Sequence, residues 1–154
     1  MGNESTLSVY VDGSVDAPRR AMAFAYVAYS NLRYISQNYM CVDGVNPAHA
    51  ETLAIGLAAK DLLDNESLKL DRNTVVTFNV DCASALTFVQ SKINETGRCS
   101  SNPMIVDAME YIRKLNTVAV VEFEKVTAHK FVHSANKYVD ALAKYACRSG
   151  ECMQ

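Results

Sequence analysis

The chain opens with an apolar–polar alternation whose two-residue period is typical of a β-strand with two unlike faces. Val9 and Val11 alternate with polar neighbours, and the run ends in Asp12-Gly13-Ser14, a composition typical of turns. The pattern therefore predicts a first strand with an acidic residue at its carboxyl end.

The rest of the chain contains further segments with the apolar spacing of strands and segments with the apolar spacing of helices. Further strands are predicted at 21–30, 33–42, 74–80 and 118–126. Helices, each with apolar residues at a 3.6-residue spacing, are predicted at 48–63, at 82–94, from Pro103 onwards and at 135–148. Short links join the first three strands into an antiparallel meander, and helices between the later strands predict parallel crossovers. The expected fold class is α/β, a five-stranded mixed sheet with helices on both faces, in one domain covering 1–154.

The composition of the 154 residues is that of an ordinary globular domain. Hydrophobic residues make up 49% and charged residues 21%, which argues against intrinsic disorder. The formal net charge of −2 gives no sign of a tight, non-specific binder of polyanions. A metal-dependent nuclease is compatible with that charge, because clustered acids lower the net charge while bound cations offset them locally.

The five cysteines are an odd number, widely spaced and without a CxxC pair, so the sequence predicts neither a disulfide framework nor a zinc site. Free thiols fit a reducing compartment. No stretch is long and apolar enough to span a membrane, and no signal peptide precedes the first strand. We therefore expect a cytoplasmic protein that has no membrane partner and is a monomer.

Four acidic residues stand where the predicted elements meet. Asp12 and Asp81 each follow an apolar strand at its carboxyl end, where open α/β sheets build their sites. Glu51 lies in the first turn of its predicted helix, and Asp140 lies within the last helix. Each also has an ordinary explanation. Glu51 suits a helix N-terminus, Asp81 suits a helix cap, and Asp140 is spaced to pair with Lys144.

Taken together, the four acids favour a metal site over four separate structural roles. Carboxylates brought together in a low dielectric repel one another unless cations join them. Carboxylate oxygens are the ligands that Mg²⁺ and Mn²⁺ prefer. Two such ions about 3.5–4 Å apart are the usual device for phosphodiester cleavage.

Four segments in this order and spacing resemble type 1 ribonuclease H: VYVDGS (9–14), HAETLAIGLAAKDLL (49–63), FNVDCASAL (78–86) and HKFVHSANKYVDALAKYA (129–146). The resemblance covers nearly the whole chain. It implies a sheet of strand order 3-2-1-4-5. It also implies a metal-dependent endonuclease that hydrolyses the RNA strand of RNA–DNA hybrids and leaves 5′-phosphate and 3′-hydroxyl ends.

The resemblance also implies roles for individual residues. Catalytic residues that hold two Mg²⁺ ions, with Mn²⁺ as a possible substitute, would be Asp12, Glu51, Asp81 and Asp140. His129 would be the catalytic histidine of the loop before the last helix, with His133 as its competitor because the spacing to Asp140 is one residue longer than usual. Substrate-binding residues would be Gly13, Ser14, Asn46 and Asn136, although Asn136 also suits the N-terminal cap of the last helix.

The sequence departs from the family pattern in the segments that bind substrate. The usual glycine-rich stretch is replaced by 16–21, and the asparagines before the glutamate are replaced by 47–49, with Asn46 displaced. A basic handle and a separate hybrid-binding domain are not evident in the sequence, which leaves room for a partner protein that supplies extra substrate-binding surface. Two alternatives stay open. One is a DNA or junction-cleaving nuclease of the same fold, and the other is a non-catalytic nucleic-acid-binding or protein-binding module.

Overall fold

A five-stranded mixed sheet forms the centre of the computed structural model, which describes residues 5–126 and 134–149. Its strands are β1 (Ser5–Asp16), β2 (Ala21–Ser30), β3 (Arg33–Asp43), β4 (Thr74–Val80) and β5 (Val120–Lys125). The order across the sheet is β3-β2-β1-β4-β5. β1, β2 and β3 form an antiparallel meander, whereas β4 is parallel to both β1 and β5. The predicted fold class and strand order are thereby confirmed.

Four helices cover the two faces of the sheet: α1 (Pro47–Asp64), α2 (Ala83–Lys92), α3 (Pro103–Val118) and α4 (Ser134–Arg148). Residues of the first three helices share one buried apolar cluster with one face of β1, β2 and β4. Val139 and Ala143 of α4 pack with Ala25 and Val27 on the opposite face of β2. Among the described residues, no helix is long and apolar enough to cross a membrane.

The first strand is longer than its sequence predicts. The expected end at Asp12-Gly13-Ser14 is wrong, because β1 continues to Asp16 and the turn follows it. The reason is tertiary: β2 pairs with this whole extension, so that Gly13 lies opposite Phe24. Asp12 nevertheless lies near the end of β4, because the last pair between the two strands is Tyr10 with Asn79, two residues before Asp12 and Asp81.

Two contacts fix α1 against its neighbours. Gly56 lets α1 approach α3 closely, since a Cβ atom at this position would lie 2.5 Å from the Cβ of Ala108. On the sheet side, the hydroxyl of the buried Tyr26 donates to Asp61 Oδ2 at 2.7 Å, and Asn38 Nδ2 donates to the same oxygen at 3.1 Å. Because α1 carries Glu51, these contacts also fix the position of a candidate site residue.

One cysteine differs from the expectation of free thiols. Cys82, Cys99 and Cys147 are free, but Cys41 near the end of β3 is disulfide-bonded. Its partner lies outside the described residues. The prediction of five free thiols is therefore wrong for Cys41, because cysteine spacing along the chain does not report which residues the fold brings together.

Candidate active site

Asp12 and Asp140 meet across the gap between β1 and α4. Asp12 lies on the face of β1 that α4 covers, and the carboxyl groups of the two residues share a hydrogen bond. The same Asp12 side chain accepts a hydrogen bond from the backbone N–H of Gly13, at 2.9 Å from Oδ1. The first and last elements of the chain thus contribute one acid each to a single pair.

Glu51 approaches the same edge of the sheet from the other face. Helix α1 begins at Pro47, so Glu51 belongs to its second turn and not to the first turn as predicted. Its side chain is buried, with 3% exposed, and its Oε1 accepts a hydrogen bond from the backbone N–H of Asp81 at 3.1 Å. Further backbone hydrogen bonds come from Cys82 and Gly13. Helix α1, strand β1 and the residues that follow β4 therefore meet at this one carboxylate.

Burial makes two of the acids weak. Desolvation is the main cause that raises the pKa of Asp12 to about 8, helped by the hydrogen bond to Asp140 and the negative charge of Glu51. Desolvation likewise raises the pKa of Glu51 to about 7, although the backbone hydrogen bonds from Asp81 and Cys82 oppose the shift. Asp12 is consequently the member of the shared pair that keeps the proton and donates it to Asp140.

Two lysines neutralise the more exposed acids. Lys144 Nζ lies 3.0 Å from Asp140 Oδ2, and Lys125 Nζ lies 3.9 Å from Asp81 Oδ1. Burial tends to raise the pKa of Asp140, but the hydrogen bonds with Asp12 and Lys144 and the charge of Lys144 outweigh it, so that this pKa lies below its ordinary value. The i,i+4 pairing of Asp140 with Lys144 is confirmed, and it coexists with the contact to Asp12.

The four acids therefore lie at one edge of the sheet, with Asp12 bonded to Asp140 and Glu51 bonded to the backbone of Asp81. Within 5–126 and 134–149, no three His, Cys, Asp or Glu side chains lie close enough together to hold a metal ion in this arrangement. Protons and lysines supply the charge compensation instead. The donor set still fits a hard divalent cation, since all four side chains offer carboxylate oxygens and a cation would restore the ionised forms of Asp12 and Glu51.

Gly13 has a packing role that its sequence context does not reveal. A Cβ atom at Gly13 would lie 2.7 Å from the Cβ of Ala50 and 3.2 Å from the backbone nitrogen of Glu51. The absence of a side chain therefore lets the start of α1 touch β1 beside Asp12. Ser14, the other predicted substrate-binding residue here, continues β1 opposite Ala23 and is half-buried.

The predicted asparagines differ in their structural roles. Asn46 is the N-terminal cap of α1, and its Oδ1 accepts a hydrogen bond from the backbone N–H of His49 at 3.1 Å. Asn136 is the third residue of α4 and therefore not its cap, since the helix begins at Ser134. The two candidate loop histidines, His129 and His133, lie outside the described residues.

Lys125 is the site residue that sequence reasoning missed. It is the last residue of β5, and the parallel register pairs it with Val80, the residue before Asp81. A signal was available once the strands were placed, because a lysine at the end of a strand adjacent to β4 must lie at the same sheet edge as Asp81.

Comparison with known proteins agrees with this architecture. The family model for RNase H matches residues 4–148 of the chain. No curated protein matches it in sequence. The chain is similar in structure to RNase H1 of the halophilic archaeon Halobacterium salinarum NRC-1, with 17% identity, a TM-score of 0.64, and coverage of 94% of this chain and 98% of that one. It is also similar to the N-terminal RNase H domain of a Mycobacterium tuberculosis protein, solved as a fusion with maltose-binding protein, with 13% identity, a TM-score of 0.68, and coverage of 95% and 96%.

Proposed function

The chain belongs to the RNase H family, and on that premise we propose that it hydrolyses the RNA strand of RNA–DNA hybrids in a reaction that depends on divalent metal ions. Ribonuclease H activity in general follows from the family. The observation that supports the more specific proposal is that Asp12, Glu51, Asp81 and Asp140 lie at one edge of the sheet, where the half-buried Asp12 and the buried Glu51 are weakly acidic. A site that gathers acids without burying an equal positive charge is suited to cations.

These four carboxylates would hold two Mg²⁺ ions, or Mn²⁺ in their place. When bound, the ions supply a water molecule of lowered pKa and stabilise charge on the departing 3′ oxygen, which leaves 5′-phosphate and 3′-hydroxyl ends. Glu51 would orient the ion that it holds, because backbone N–H groups of Gly13 and of the residues after β4 already fix its carboxylate. Asp12 has to release its proton before it can act as a ligand.

The two lysines have a defined part in this proposal. Lys144 and Lys125 lie on the solvent side of Asp140 and Asp81, and each pair is roughly half exposed. Binding of cations by the aspartates would free both ammonium groups. They would then face the negatively charged backbone of a bound nucleic acid, where lysine makes favourable phosphate contacts.

In this proposal, the substrate is bound by the residues that the family resemblance identifies. Gly13, Ser14, Asn46 and Asn136 would contact the hybrid, and preference for RNA would rest on contacts to 2′-hydroxyl groups in the shallow minor groove. His129, or His133 in its place, would assist proton transfer or product release. We further propose that the protein is cytoplasmic. We also propose that a partner protein supplies extra substrate-binding surface.

A cleavage assay tests the proposal directly. Labelled RNA–DNA hybrid is incubated with the protein in Mg²⁺ and then in Mn²⁺, beside RNA duplex, DNA duplex and a four-way DNA junction. The variant Asp12→Asn is compared with Asp64→Asn, a matched change at an exposed aspartate of α1 that forms a salt bridge with Lys60, at 3.5 Å. We expect hybrid-only cleavage that needs metal, that Asp64→Asn retains, and that Asp12→Asn lowers by at least about a hundredfold.

Other outcomes contradict the proposal in distinct ways. Cutting of the junction would assign the protein to DNA nucleases of the same fold. Cleavage that persists in chelator would remove the metal ions from the reaction. Equal activity of Asp12→Asn and Asp64→Asn would show that the acids at the sheet edge are not the catalytic groups.

A further inference from the structure

The solvent-exposed side of α4 is basic, although the chain as a whole is slightly acidic. Three cations and two tyrosines of this helix are exposed, and we call these five side chains the α4 face: Lys137, Tyr138, Lys144, Tyr145 and Arg148. The helix has one acid, Asp140, so its formal charge is +2 in a chain whose net charge is −2. Positive charge is therefore concentrated on this helix.

The cations of the α4 face form one stripe along the helix. Lys137, Lys144 and Arg148 are separated by seven and four residues, which are close to whole numbers of turns, so the stripe is about 16 Å long. Lys144 Nζ lies 3.0 Å from Asp140 Oδ2, which places the stripe beside an acid of the candidate active site. Among the described residues, neither Lys137 nor Arg148 forms a salt bridge. The stripe thus offers two positive charges that no described acid neutralises.

Helix stability does not explain the position of Lys137. It is the fourth residue of α4 and lies in the first turn, where the helix dipole favours negative side chains. No acidic residue occupies that turn. Arg148 lies in the last turn, where the same dipole favours a cation. The stripe therefore includes a lysine that the helix itself disfavours, which a negatively charged ligand would explain.

Two tyrosine rings flank the stripe. Tyr138 is 45% exposed and Tyr145 is 59% exposed, and they lie on one side of the helix, about 10 Å apart along its axis. The hydroxyl of Tyr138 donates a hydrogen bond to Gln37 Oε1 at 2.8 Å. The ring of Tyr145 meets that of Tyr39 edge to face, with centroids 5.9 Å apart. These contacts hold both rings in place while leaving them accessible.

We propose that the α4 face binds single-stranded nucleic acid, as the unpaired extension of a strand whose hybrid part lies in the active site. The stripe calls for a polyanion, and the rings favour one whose charges alternate with flat aromatic bases. Proteins hold single strands in this way, with bases stacked on aromatic rings and cations on the phosphates. A duplex fits less well, because its bases are already stacked and paired. Binding by the α4 face does not depend on cleavage, whereas its link to the cut strand rests on the proposed function.

Oligonucleotide binding in chelator tests the proposal without any cleavage. Fluorescence anisotropy of the full-length chain is measured with a labelled oligouridylate of about twelve nucleotides at several salt concentrations. The double variant Lys137→Gln, Arg148→Gln should raise the dissociation constant about tenfold or more at low salt. It should also reduce the slope of log affinity against log salt by about 1.4, since each phosphate contact to a single strand contributes about 0.7.

A matched control separates this effect from the change in net charge. The double variant Lys60→Gln, Lys114→Gln removes the same charge from exposed residues of α1 and α3, on the opposite face of the sheet, and should bind as wild type does. A wild-type protein that does not bind the oligonucleotide at low salt would overturn the proposal. Equal affinities of the two double variants would overturn it as well.

Tyrosine variants test the stacking. Tyr145→Phe keeps the ring and should bind as wild type does, whereas Tyr145→Ser should weaken binding about fivefold or more. Far-ultraviolet spectra and melting curves show whether each variant keeps the fold. If Tyr145→Ser keeps the fold and the wild-type affinity, the ring is not a stacking platform and the proposed mode of binding is wrong.

Competition identifies the class of ligand. Unlabelled single strand should displace the probe at least several-fold better than duplex DNA or polyglutamate at the same concentration of charge. Equal competition by polyglutamate would assign the α4 face to acidic protein segments, and equal competition by the duplex would remove the role of unpaired bases. Either result contradicts the proposal.

A kinetic comparison tests the link to the cut strand. A hybrid whose RNA strand extends beyond the DNA at both ends should have a KM about fivefold lower than a blunt hybrid, with kcat unchanged. The double variant Lys137→Gln, Arg148→Gln should lose this difference and keep the wild-type activity on the blunt hybrid. A difference that persists in the variant would overturn the link. If no hybrid is cut, the proposed function fails, and the anisotropy measurements still decide whether the α4 face binds a single strand.

Discussion

Replacement of Asp12 by asparagine should abolish cleavage and yet make the metal-free protein more stable. In the folded state, burial and the neighbouring acids raise the pKa of Asp12 to about 8, whereas an unperturbed aspartate titrates at 3.8. An acid whose pKa is raised on folding stabilises the protein fully only below its unfolded pKa. That stability is lost progressively as the pH rises from the unfolded pKa of 3.8 to the folded pKa of about 8. Asparagine has no charge to desolvate, so it removes this loss.

The size of the effect follows from the shift. A difference of about four pKa units corresponds to at most about 6 kcal/mol above pH 8, and to about 4 kcal/mol at pH 7. The true gain should be smaller, because the site relaxes and Asp12 shares its proton with Asp140. We expect about 1–3 kcal/mol at neutral pH, or about 3–8 °C in melting temperature for a chain of this length.

Thermal melts in chelator at a series of pH values measure the prediction. The melting temperatures of wild type and Asp12→Asn should coincide near pH 4 and separate progressively up to about pH 8. Asp64→Asn is again the matched control, and it should follow wild type throughout. A variant that melts below wild type in chelator at pH 8, or a difference that does not depend on pH, would refute the idea that desolvated, mutually repelling acids destabilise this site.

The remaining predictions concern metal affinity and packing. Calorimetric Mg²⁺ affinity should rise by about tenfold or more between pH 6.5 and 8, because Asp12 and Glu51 must lose protons to bind, and a pH-independent affinity would contradict this. Gly56→Ala should lower the free energy of unfolding by about 1–3 kcal/mol in urea through its clash with Ala108, and the added change Ala108→Gly should recover most of the loss. Leu32→Gly should raise that free energy by about 0.5–1 kcal/mol, because Leu32 has a φ of +70° and is 97% exposed; no gain would mean that this turn is unstrained.

The elements were predictable because their signals are local. The β-branched run of β4 predicted Thr74–Val80, and the apolar period of α1 predicted a helix that differs from the observed one by one residue at each end. The end of β1 was not predictable from Asp12-Gly13-Ser14. Turn composition is a local preference, and the pairing with β2 that overrides it is made by residues elsewhere in the chain.

The sequence predicts which residues form the site, but it does not predict how they are arranged. The spacing of the acids and the family resemblance point to Asp12, Glu51, Asp81 and Asp140 without showing which of them would touch. The partner of Glu51 is a backbone amide 30 positions further along the chain, and the salt bridge of Asp81 to Lys125 depends on the register between β4 and β5. Such contacts produce no recognisable pattern in a single sequence, because they depend on the register in which the strands pair.

The parallel register between β1 and β4 has a consequence for how the length of this chain can change. Its last pair, Tyr10 with Asn79, lies two residues before Asp12 and Asp81, and the two-residue period of the strand turns Asp12 toward α4. Insertion of a single residue in β1 before Asp12 would turn its carboxyl to the opposite face, away from Asp140. Insertions in the 17–20 turn or in the connection at 93–102 would leave the distances among the acids unchanged. Natural length variation among relatives of this chain should therefore be confined to such connections, while the strands on either side of the acids keep their lengths.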